Sequence, residues 1–179
     1  MDNYYQTNTA SKDYVVVSTI NGKNYASLKF GENGLYKGSY VEEYLNNVVY
    51  NDLFTNREKA ALVTSKWYNS SYAKGQNPLQ SLLSKNQYTE GNIGLIRVGE
   101  LMSGTSSTGR VDRFTYWTSS YLDDPTYGKY AWFTTWAGAT NSVLNRTDIR
   151  GLRPVINIKS NISIKSGTGT VNDPYILNY

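Results

Sequence analysis

The residues best suited to recognising a ligand lie in one stretch of this sequence, from Trp117 to Trp136. It holds three of the chain's four tryptophans, placed on both sides of an Asp-Asp-Pro loop. Trp132 and Trp136 are an even number of residues apart, so one face of a strand would carry both. If Phe133 on the opposite face joins the core, that pair faces solvent and can stack against sugar rings or peptides. The alternative, that both rings form the core under a loop, stays equally open.

Two loops flank these aromatic strands, at 120–129 and 137–148. Their Tyr, Asp, Pro, Thr, Gly, Ser and Asn residues favour turns and solvent, and loops held by a rigid sheet commonly carry binding residues. We therefore predict that both loops lie at one end of the domain and form its main interaction surface. The predicted ligand-binding residues are aromatic anchors and polar contacts: Tyr121, Asp123, Asp124, Tyr127, Tyr130, Trp132, Trp136, Asn141 and Arg146.

Histidine and cysteine are both absent from the chain, which narrows the possible chemistry. Disulfides, thiolate nucleophiles, Cys/His zinc sites and a Ser-His-Asp triad are excluded. Carboxylate, Lys, Tyr and Ser chemistry remains, but no Asp/Glu pair lies in a setting typical of paired-carboxylate catalysis. The sequence predicts a protein that is not an enzyme, with no catalytic residues and no cofactor.

Two short polar pairs, Asp123-Asp124 and Asn172-Asp173, are candidate oxygen ligands for a hard cation such as Ca²⁺. A calcium site needs several converging oxygens, and neither pair shows the dense D-x-D-x-D-G spacing. Asp before Pro is typical of turns, and this structural interpretation is favoured. We assign no metal ligand and expect at most a weak calcium site at the first pair.

The composition and length of the chain limit which partners are expected and how many domains it contains. The formal net charge is +4, from 18 basic and 14 acidic residues without a basic cluster, so we predict no nucleic-acid partner. Seventeen tyrosines beside many Asn, Ser and Gly residues are typical of antibody-like binding surfaces. They are also typical of secreted bacterial β-rich domains, and this second interpretation is favoured. The length fits a single domain over 1–179, in which 1–13 is predicted to be a disordered or truncated N-terminal segment.

Turn, cap and periodicity signals divide the first half of the chain. An Asn-Gly turn predicts a hairpin over 14–30. A Ser N-cap followed by apolar residues at helical spacing predicts a helix over 39–52. A Thr-x-x-Glu capping box predicts a second helix over 56–68. Residues 69–91 are predicted to be a long loop with a short helical turn at 79–83.

The second half is predicted to be mostly strands. A strand and a short turn or helix are expected within 92–101, and a flexible loop at 103–109. Gly-Leu-Arg-Pro at 151–154 is interpreted as structural, because proline in a strand marks an edge or a bulge. One antiparallel sheet is predicted to include 114–119, 130–136 and 151–158. A shorter strand is predicted in 161–167 and a last one at the end. Two helices beside such strands, with long loops, give the α+β class.

The order of motifs in the C-terminal half resembles a domain of Gram-positive bacterial surface proteins, some with pilin-like N-termini. Those motifs are W-T-S-S, Y-A-W-F, R-G-L-R-P-V-I-N-I-K-S-N and G-T-G-T-V-N-D-P-Y-I-L. Residues 44–68 and I-G-L-I-R-V-G-E-L are similar to its earlier half, and 151–177 is the most specific part. That domain is similar to the C-type lectin-like fold, also used by formylglycine-generating enzymes and by variable proteins of diversity-generating retroelements.

The resemblance implies two helices flanking a small twisted antiparallel sheet, with a Trp-bearing strand and a Gly-x-Arg-Pro strand beneath a loop-built binding face. The calcium-lectin signatures Glu-Pro-Asn and Trp-Asn-Asp are missing from the chain. So are the disulfides of animal lectins and the cysteines of the formylglycine enzymes. Calcium-dependent sugar binding and that oxidation chemistry are therefore not implied.

These inferences lead to one function and one alternative. The chain is predicted to be a non-enzymatic extracellular adhesion module of a bacterial surface or pilus-associated, minor-pilin-like protein, whose ligand is a host or environmental glycan or protein. The alternative is a structural or assembly subunit of a type IV pilus-like appendage, whose partners are other pilus subunits. Both place it at the cell surface, with membrane attachment only through an anchor upstream of this sequence.

The absence of histidine, cysteine and a dense oxygen-ligand motif generates a prediction about metals. Adding EDTA is expected to leave the thermal melting curve unchanged. A bound cation present at a concentration roughly 100 times its Kd would stabilise the fold by more than about 2 kcal/mol. A loss of that size on adding EDTA, restored by excess Ca²⁺, would therefore contradict the prediction.

Overall fold

The short helices described by this computed structural model all lie between residues 40 and 103, and the elements described after them are strands. The structure describes residues 14–20, 23–73, 76–83, 87–103, 116–126, 128–134, 140–142, 149–170 and 172–179. Within these ranges, no helix has the length and apolar character needed to cross a lipid bilayer. The arrangement of helices and mainly antiparallel strands is of the α+β class.

The first helical stretch has three consecutive parts, which are α1 (Tyr40–Glu43), a π-helical segment (Tyr44–Val49) and α2 (Tyr50–Leu53). Ser39 is its N-cap, and the Ser39 side chain accepts a hydrogen bond from the Glu42 N–H at 3.0 Å. Val41, Leu45 and Val49 recur at helical spacing and are all buried. The helix predicted over 39–52 is confirmed.

The second helix is shorter than predicted. Helix α3 (Asn56–Ala61) begins with the predicted capping box, in which Thr55 and Glu58 accept hydrogen bonds from each other's backbone N–H. The chain then leaves the helix, and Trp67 lies in strand β3 (Ser65–Ser71). The prediction of a helix to residue 68 is therefore wrong. The reason is tertiary, because β3 pairs along its length with a strand that comes later in the sequence.

The remaining elements lie on both sides of β3. Two more helices are α4 (Pro78–Ser81) and α5 (Val98–Ser103). The other strands in the described ranges are β1 (Tyr14–Ile20), β2 (Lys23–Lys29), β4 (Gln87–Gly91), β5 (Ile93–Leu95), β6 (Trp117–Asp124), β7 (Gly128–Thr134), β8 (Thr140–Ser142), β9 (Ile149–Arg150), β10 (Pro154–Ile156), β11 (Ser163–Ser166) and β12 (Ile176–Asn178).

The largest sheet has five strands in the order β4-β3-β6-β7-β8. Its pairs are antiparallel except β3 with β6, which run parallel over two residue pairs. Strands β6 and β7 confirm the antiparallel strands predicted within 114–119 and 130–136. The ends of those ranges, 114–115 and 135–136, lie outside the described residues.

The prediction that 151–158 shares one sheet with 114–119 and 130–136 is wrong, because its strand β10 belongs to a different sheet from β6 and β7. Strand β10 pairs with β5 in a two-stranded sheet, with Val155 opposite Gly94. Gly151 bridges Tyr116, and the Gly151 carbonyl accepts the Trp117 N–H at 3.1 Å. The segment thus meets the large sheet just before β10 begins. The first residue of β10 is a proline, which has no N–H to donate, in line with the structural interpretation of this motif.

Most of the smaller elements follow the prediction. The hairpin at 14–30 is confirmed as β1 and β2, although its Asn-Gly turn lies outside the described residues. The strand and helix within 92–101 are β5 and α5, and the strand within 161–167 is β11, paired with β12. The long loop predicted at 69–91 keeps its helical turn as α4 but also contains β4. Residues 1–13 and 104–109 lie outside the described ranges.

Strands β6 and β7 are buried on both faces of the sheet. One face contributes Trp117, Ala131 and Phe133 to the main hydrophobic core. The other face contributes Trp132, which packs with Tyr72 in a second cluster. Because successive residues of a strand point to opposite faces, Trp132 and Phe133 enter different clusters. The expectation that Trp117 and Phe133 are core residues is confirmed.

The Asn46 side chain joins the first helical stretch to the start of β5. Its Oδ1 accepts the N–H groups of Asn92 and Ile93 at 2.8 and 3.0 Å. Its Nδ2 donates to the carbonyls of Ile93 and Glu42 at 3.0 and 3.1 Å. A Cβ added at Gly91 would lie 2.7 Å from Asn46 Oδ1, so the backbone can approach this amide closely because residue 91 is glycine.

Replacing Asn46 with Ala is expected to lower the free energy of unfolding by about 2–4 kcal/mol, because two backbone N–H groups lose their acceptor and Ile93 is fully buried. Asn47→Ala is the matched control. Its side chain is exposed on the same helical stretch, and the expected change is within about 0.5 kcal/mol. Urea unfolding followed by circular dichroism measures both variants. Equal losses in the two would contradict this account.

Candidate functional site

The aromatic residues predicted as exposed anchors are mostly buried. Tyr121, Tyr130 and Trp132 are 8%, 4% and 3% exposed, so the expectation that these rings meet solvent is wrong. The predicted loop at 120–129 is the end of a hairpin, because β6 continues to Asp124 and β7 resumes at Gly128. Strand pairing therefore carries these rings into the sheet interior.

Trp132 shows why the predicted outer face is covered. Its Nε1 donates to the Tyr72 carbonyl at 2.9 Å, and the two ring centroids are 4.9 Å apart. Val98, the first residue of α5, completes this cluster. Tyr72 and α5 therefore cover the face of the sheet that the sequence pattern allowed to be exposed to solvent.

The acidic pairs form turns and local contacts. Asp124 Oδ1 accepts the Thr126 N–H at 2.8 Å, and Asp123 pairs with Lys129 at 3.4 Å. Asp173 Oδ2 accepts the Thr168 N–H at 2.9 Å. The turn-forming interpretation is confirmed for Asp124. Across the described ranges, no three acidic side chains gather in a way that could hold a metal ion.

The structure leaves four of the predicted site residues untested. Asn141 lies in β8 opposite Phe133, and Tyr127, Trp136 and Arg146 lie outside the described residues. Their role in binding stays a prediction.

A different group of aromatic and basic side chains lies on the outer part of the large sheet. Tyr68 on β3 lies directly opposite Tyr88 on β4, so both rings share one face. The neighbouring residue pair in these strands, Trp67 and Thr89, is buried on the opposite face. Tyr88 is 38% exposed, and Tyr68 is half-buried. We call Lys66, Tyr68, Tyr88 and Arg97 the tyrosine ladder.

The tyrosine ladder has a cation at each end and the two tyrosine rings between them, in the order Lys66, Tyr88, Tyr68 and Arg97. Lys66 Nζ lies 4.6 Å from the Tyr88 ring centroid, and the two tyrosine centroids are 5.7 Å apart at an angle of 59°. Arg97 Cζ lies 5.9 Å from the Tyr68 centroid. Such contacts place positive charge near each aromatic face while leaving part of both rings accessible.

The Arg97 end of the ladder is held in place by its neighbours. Arg97 pairs with Glu100 at 2.6 Å, and its N–H donates to the same carboxylate at 2.9 Å. The guanidinium also reaches the Leu82 carbonyl at 3.5 Å, which ties it to the end of α4. Lys66 at the other end is exposed. The ladder is therefore fixed at one end and open at the other.

The sequence pattern did not reveal this ladder. Lys66 and Tyr68 were assigned to a helix, where their neighbours would be three or four residues away. The relevant signal was the alternation in K-W-Y-N and Q-Y-T-E, which becomes meaningful once the two segments are paired as strands.

A groove of about 660 Å³ lies beside β4, next to the ladder. Its lining residues come from the segment before α1 and from β4: Leu35, Lys37, Gln87, Tyr88, Thr89 and Glu90. Thr89 Oγ1 donates to the Glu42 carboxylate, which also accepts the Gly38 N–H. The floor of the groove thus connects β4 with the first helical stretch.

Tyr36 anchors the groove's second wall to the core. Its ring is fully buried, and its OH donates to the Ile93 carbonyl at 3.0 Å. Burial, and to a lesser degree the Glu42 carboxylate, raises the pKa of the Tyr36 phenol far above its usual range, against a smaller opposing effect of a hydrogen bond with Asn46. The phenol therefore stays neutral and acts as a structural donor.

Comparison with known proteins gives no match to this chain among protein-family models, curated proteins or solved structures.

Tyr36→Phe tests this anchor through the pH dependence of stability. At neutral pH the variant is expected to be less stable by about 1 kcal/mol, because the Ile93 carbonyl loses one of its two side-chain donors and keeps only Asn46 Nδ2. Above about pH 10 the unfolded wild type ionises Tyr36 while the folded protein does not, so this residue's contribution to stability falls as pH rises. The difference in unfolding free energy between wild type and variant is therefore expected to shrink above that pH. Denaturant titrations on both sides of it measure the difference, and one that grows would contradict the assignment.

Proposed function

We propose that this chain is a non-enzymatic extracellular ligand-binding module of a bacterial surface or pilus-associated protein, and that the tyrosine ladder is its contact surface. The observation that carries this proposal is the pair of accessible tyrosine rings flanked by Lys66 and Arg97. Tyrosine combines a large rigid apolar area with a polar hydroxyl, which suits adhesive surfaces.

The exposed Lys66 ammonium favours a ligand that carries negative charge, because the other cation, Arg97, already pairs with Glu100. Lys and Arg form strong charge-assisted hydrogen bonds with carboxylate or sulfate oxygens. A sugar ring can stack on the tyrosines while its acidic substituent reaches the exposed Lys66 ammonium. We therefore propose an acidic glycan as the ligand class, among the glycan and protein ligands that the sequence suggests.

The C-type lectin-like fold is part of the same proposal. Support comes from two helical segments before the large sheet, from the antiparallel Trp-bearing strands β6 and β7, and from the Gly-Leu-Arg-Pro segment beside them. The proposed contact surface differs from the one predicted from the loop residues, since it lies on β3 and β4 instead of on the loops at 120–129 and 137–148.

A specific observation also favours the alternative of an assembly subunit. The C-terminal hairpin of β11 and β12 exposes Ile164, Tyr175 and Ile176, each more than half accessible. Exposed apolar side chains of this kind are typical of surfaces that a neighbouring subunit covers. In that case purified chains would associate through this hairpin, and Ile164→Ser would weaken the association.

A glycan array containing neutral, sialylated, sulfated and uronic-acid glycans tests the favoured function. The wild type is expected to bind acidic glycans, with weaker binding at high salt. Tyr88→Ala is expected to weaken binding at least roughly tenfold, since it removes a central aromatic contact. Tyr175→Ala is the matched control, because it removes another exposed tyrosine far along the chain, and its binding should match wild type.

Two results would count against the favoured function. One is the absence of any glycan bound by the folded wild type. The other is equal binding by wild type and Tyr88→Ala, with both variants shown to be folded by their circular dichroism spectra. Binding that does not weaken at high salt would agree with the role given to the tyrosines and would contradict the role given to Lys66.

A further inference from the structure

We propose that the groove beside β4 is a second site, which binds an extended peptide as an added strand on the outer edge of the large sheet. This site goes beyond the glycan surface proposed above, because it uses backbone groups of β4 and the side chains of Leu35 and Lys37. Tyr88 is the residue that borders both surfaces.

The position of the groove follows from which residues line it. Four consecutive residues of β4, from Gln87 to Glu90, contribute to one wall. Successive side chains of a strand point to opposite faces of the sheet. A cavity above one face would be lined by alternate residues, so a groove lined by all four runs along the edge of the strand.

That edge lacks a partner strand among the described residues. Strand β4 is the last in the order of the five-stranded sheet and pairs with β3 over five residue pairs. No other described strand pairs with its far side. An open edge presents backbone N–H and C=O groups at strand spacing, which another peptide backbone matches and a sugar does not.

The opposite wall is held rigidly in place. Gly34 donates its N–H to the Lys129 carbonyl at 3.1 Å, and a Cβ at residue 34 would meet the Tyr130 backbone at 2.4 Å. Two residues further on, Tyr36 is anchored in the core by its bond to Ile93. The side chains on either side of Tyr36, Leu35 and Lys37, then face the groove. A fixed wall lowers the ordering cost of binding.

The dimensions and charges of the groove define its occupant. The five residues of β4 can pair with a segment about 16 Å long, at roughly 3.3 Å for each residue. Leu35 offers an apolar contact, Lys37 favours an acidic side chain, and Glu90 favours a basic one. We therefore assign a segment of about five residues that carries an apolar side chain and charges of both signs.

A second copy of this chain fits the groove less well than a flexible peptide. In a pair of copies joined edge to edge, β4 of each copy would have to enter the groove of the other copy. The 35–37 segment of the first copy would then have to fit into the same space as that of the second. A single extended peptide brings no second wall with it, so it only has to fit between β4 and the 35–37 segment. This steric argument selects a peptide over a symmetric dimer.

The probe is a phage-displayed library of random eight-residue peptides, selected on the folded full chain. Enriched peptides are synthesised, and their binding is measured by isothermal titration calorimetry. Each is also made with N-methyl groups at alternate backbone positions, in two sets. Because alternate residues of an added strand bond to β4, one set is expected to lose at least roughly tenfold in affinity, and the other set is expected to bind nearly as before.

Variants of the protein locate the site. Lys37→Glu changes an exposed wall residue and is expected to weaken peptides with an acidic side chain at least roughly tenfold. Leu35→Ala should weaken all groove-binding peptides, and Leu83→Ala, an exposed leucine outside the groove, should weaken none. Lys66→Ala should leave peptide binding intact, which separates this site from the glycan surface.

The proposal would be overturned by any of three results. The first is that no enriched peptide depends on Lys37 or Leu35. The second is that both sets of N-methylated peptides bind as well as the parent, which would exclude strand pairing. The third is concentration-dependent dimerisation in sedimentation velocity that Lys37→Glu abolishes, which would assign the edge to a second copy.

Discussion

The amide of Asn46 is the interaction on which the arrangement of helix, edge strand and groove depends. It satisfies the backbone of residues 92 and 93 from within the first helical stretch. This fixes the point where the chain leaves β4 and enters β5. Because β4 ends one residue earlier, at Gly91, the same contact sets how close the edge strand lies to the helix. The groove beside β4 is a consequence of that spacing.

Trp67 links the junction of β4 and β5 to the hydrophobic core. A Cβ added at Gly94 would lie 2.1 Å from the Trp67 ring, and the indole N–H donates to the Gly91 carbonyl at 2.9 Å. The indole therefore lies flat against β5 and holds β3 beside it. With Trp67 turned inward, its neighbours Lys66 and Tyr68 must turn outward. The accessible ladder and the buried core are thus two sides of the same strand.

The two proposed surfaces differ in what makes them specific. The tyrosine ladder offers side chains on one face of the sheet, while the groove offers the backbone of the sheet's edge. Tyr88 belongs to both, so occupation of one surface can influence the other through that ring. A module that holds a glycan and a peptide side by side would suit adhesion at a surface where both are present.

Local chemistry in the sequence determined the elements whose signals are local. The Ser39 N-cap, the Thr55 and Glu58 capping box and the Asp124 turn depend on residues within a few positions of each other, and all were predicted. The 14–30 hairpin was also predicted, and its two strands are consecutive in the chain. The absence of His and Cys likewise fixed which chemistry the chain lacks.

Tertiary pairing decided the rest. Residues 65–68 form a strand because β4, some twenty residues later, supplies their hydrogen bonds. Trp132 is buried because Tyr72 and α5 cover its face, which its own periodicity does not reveal. A strand's alternation shows which residues share a face, but only the elements packed on each face decide which of them meets solvent. The proposed contact surface therefore lies on β3 and β4 instead of on the loop predicted at 120–129, and most of the loop predicted at 137–148 lies outside the described residues.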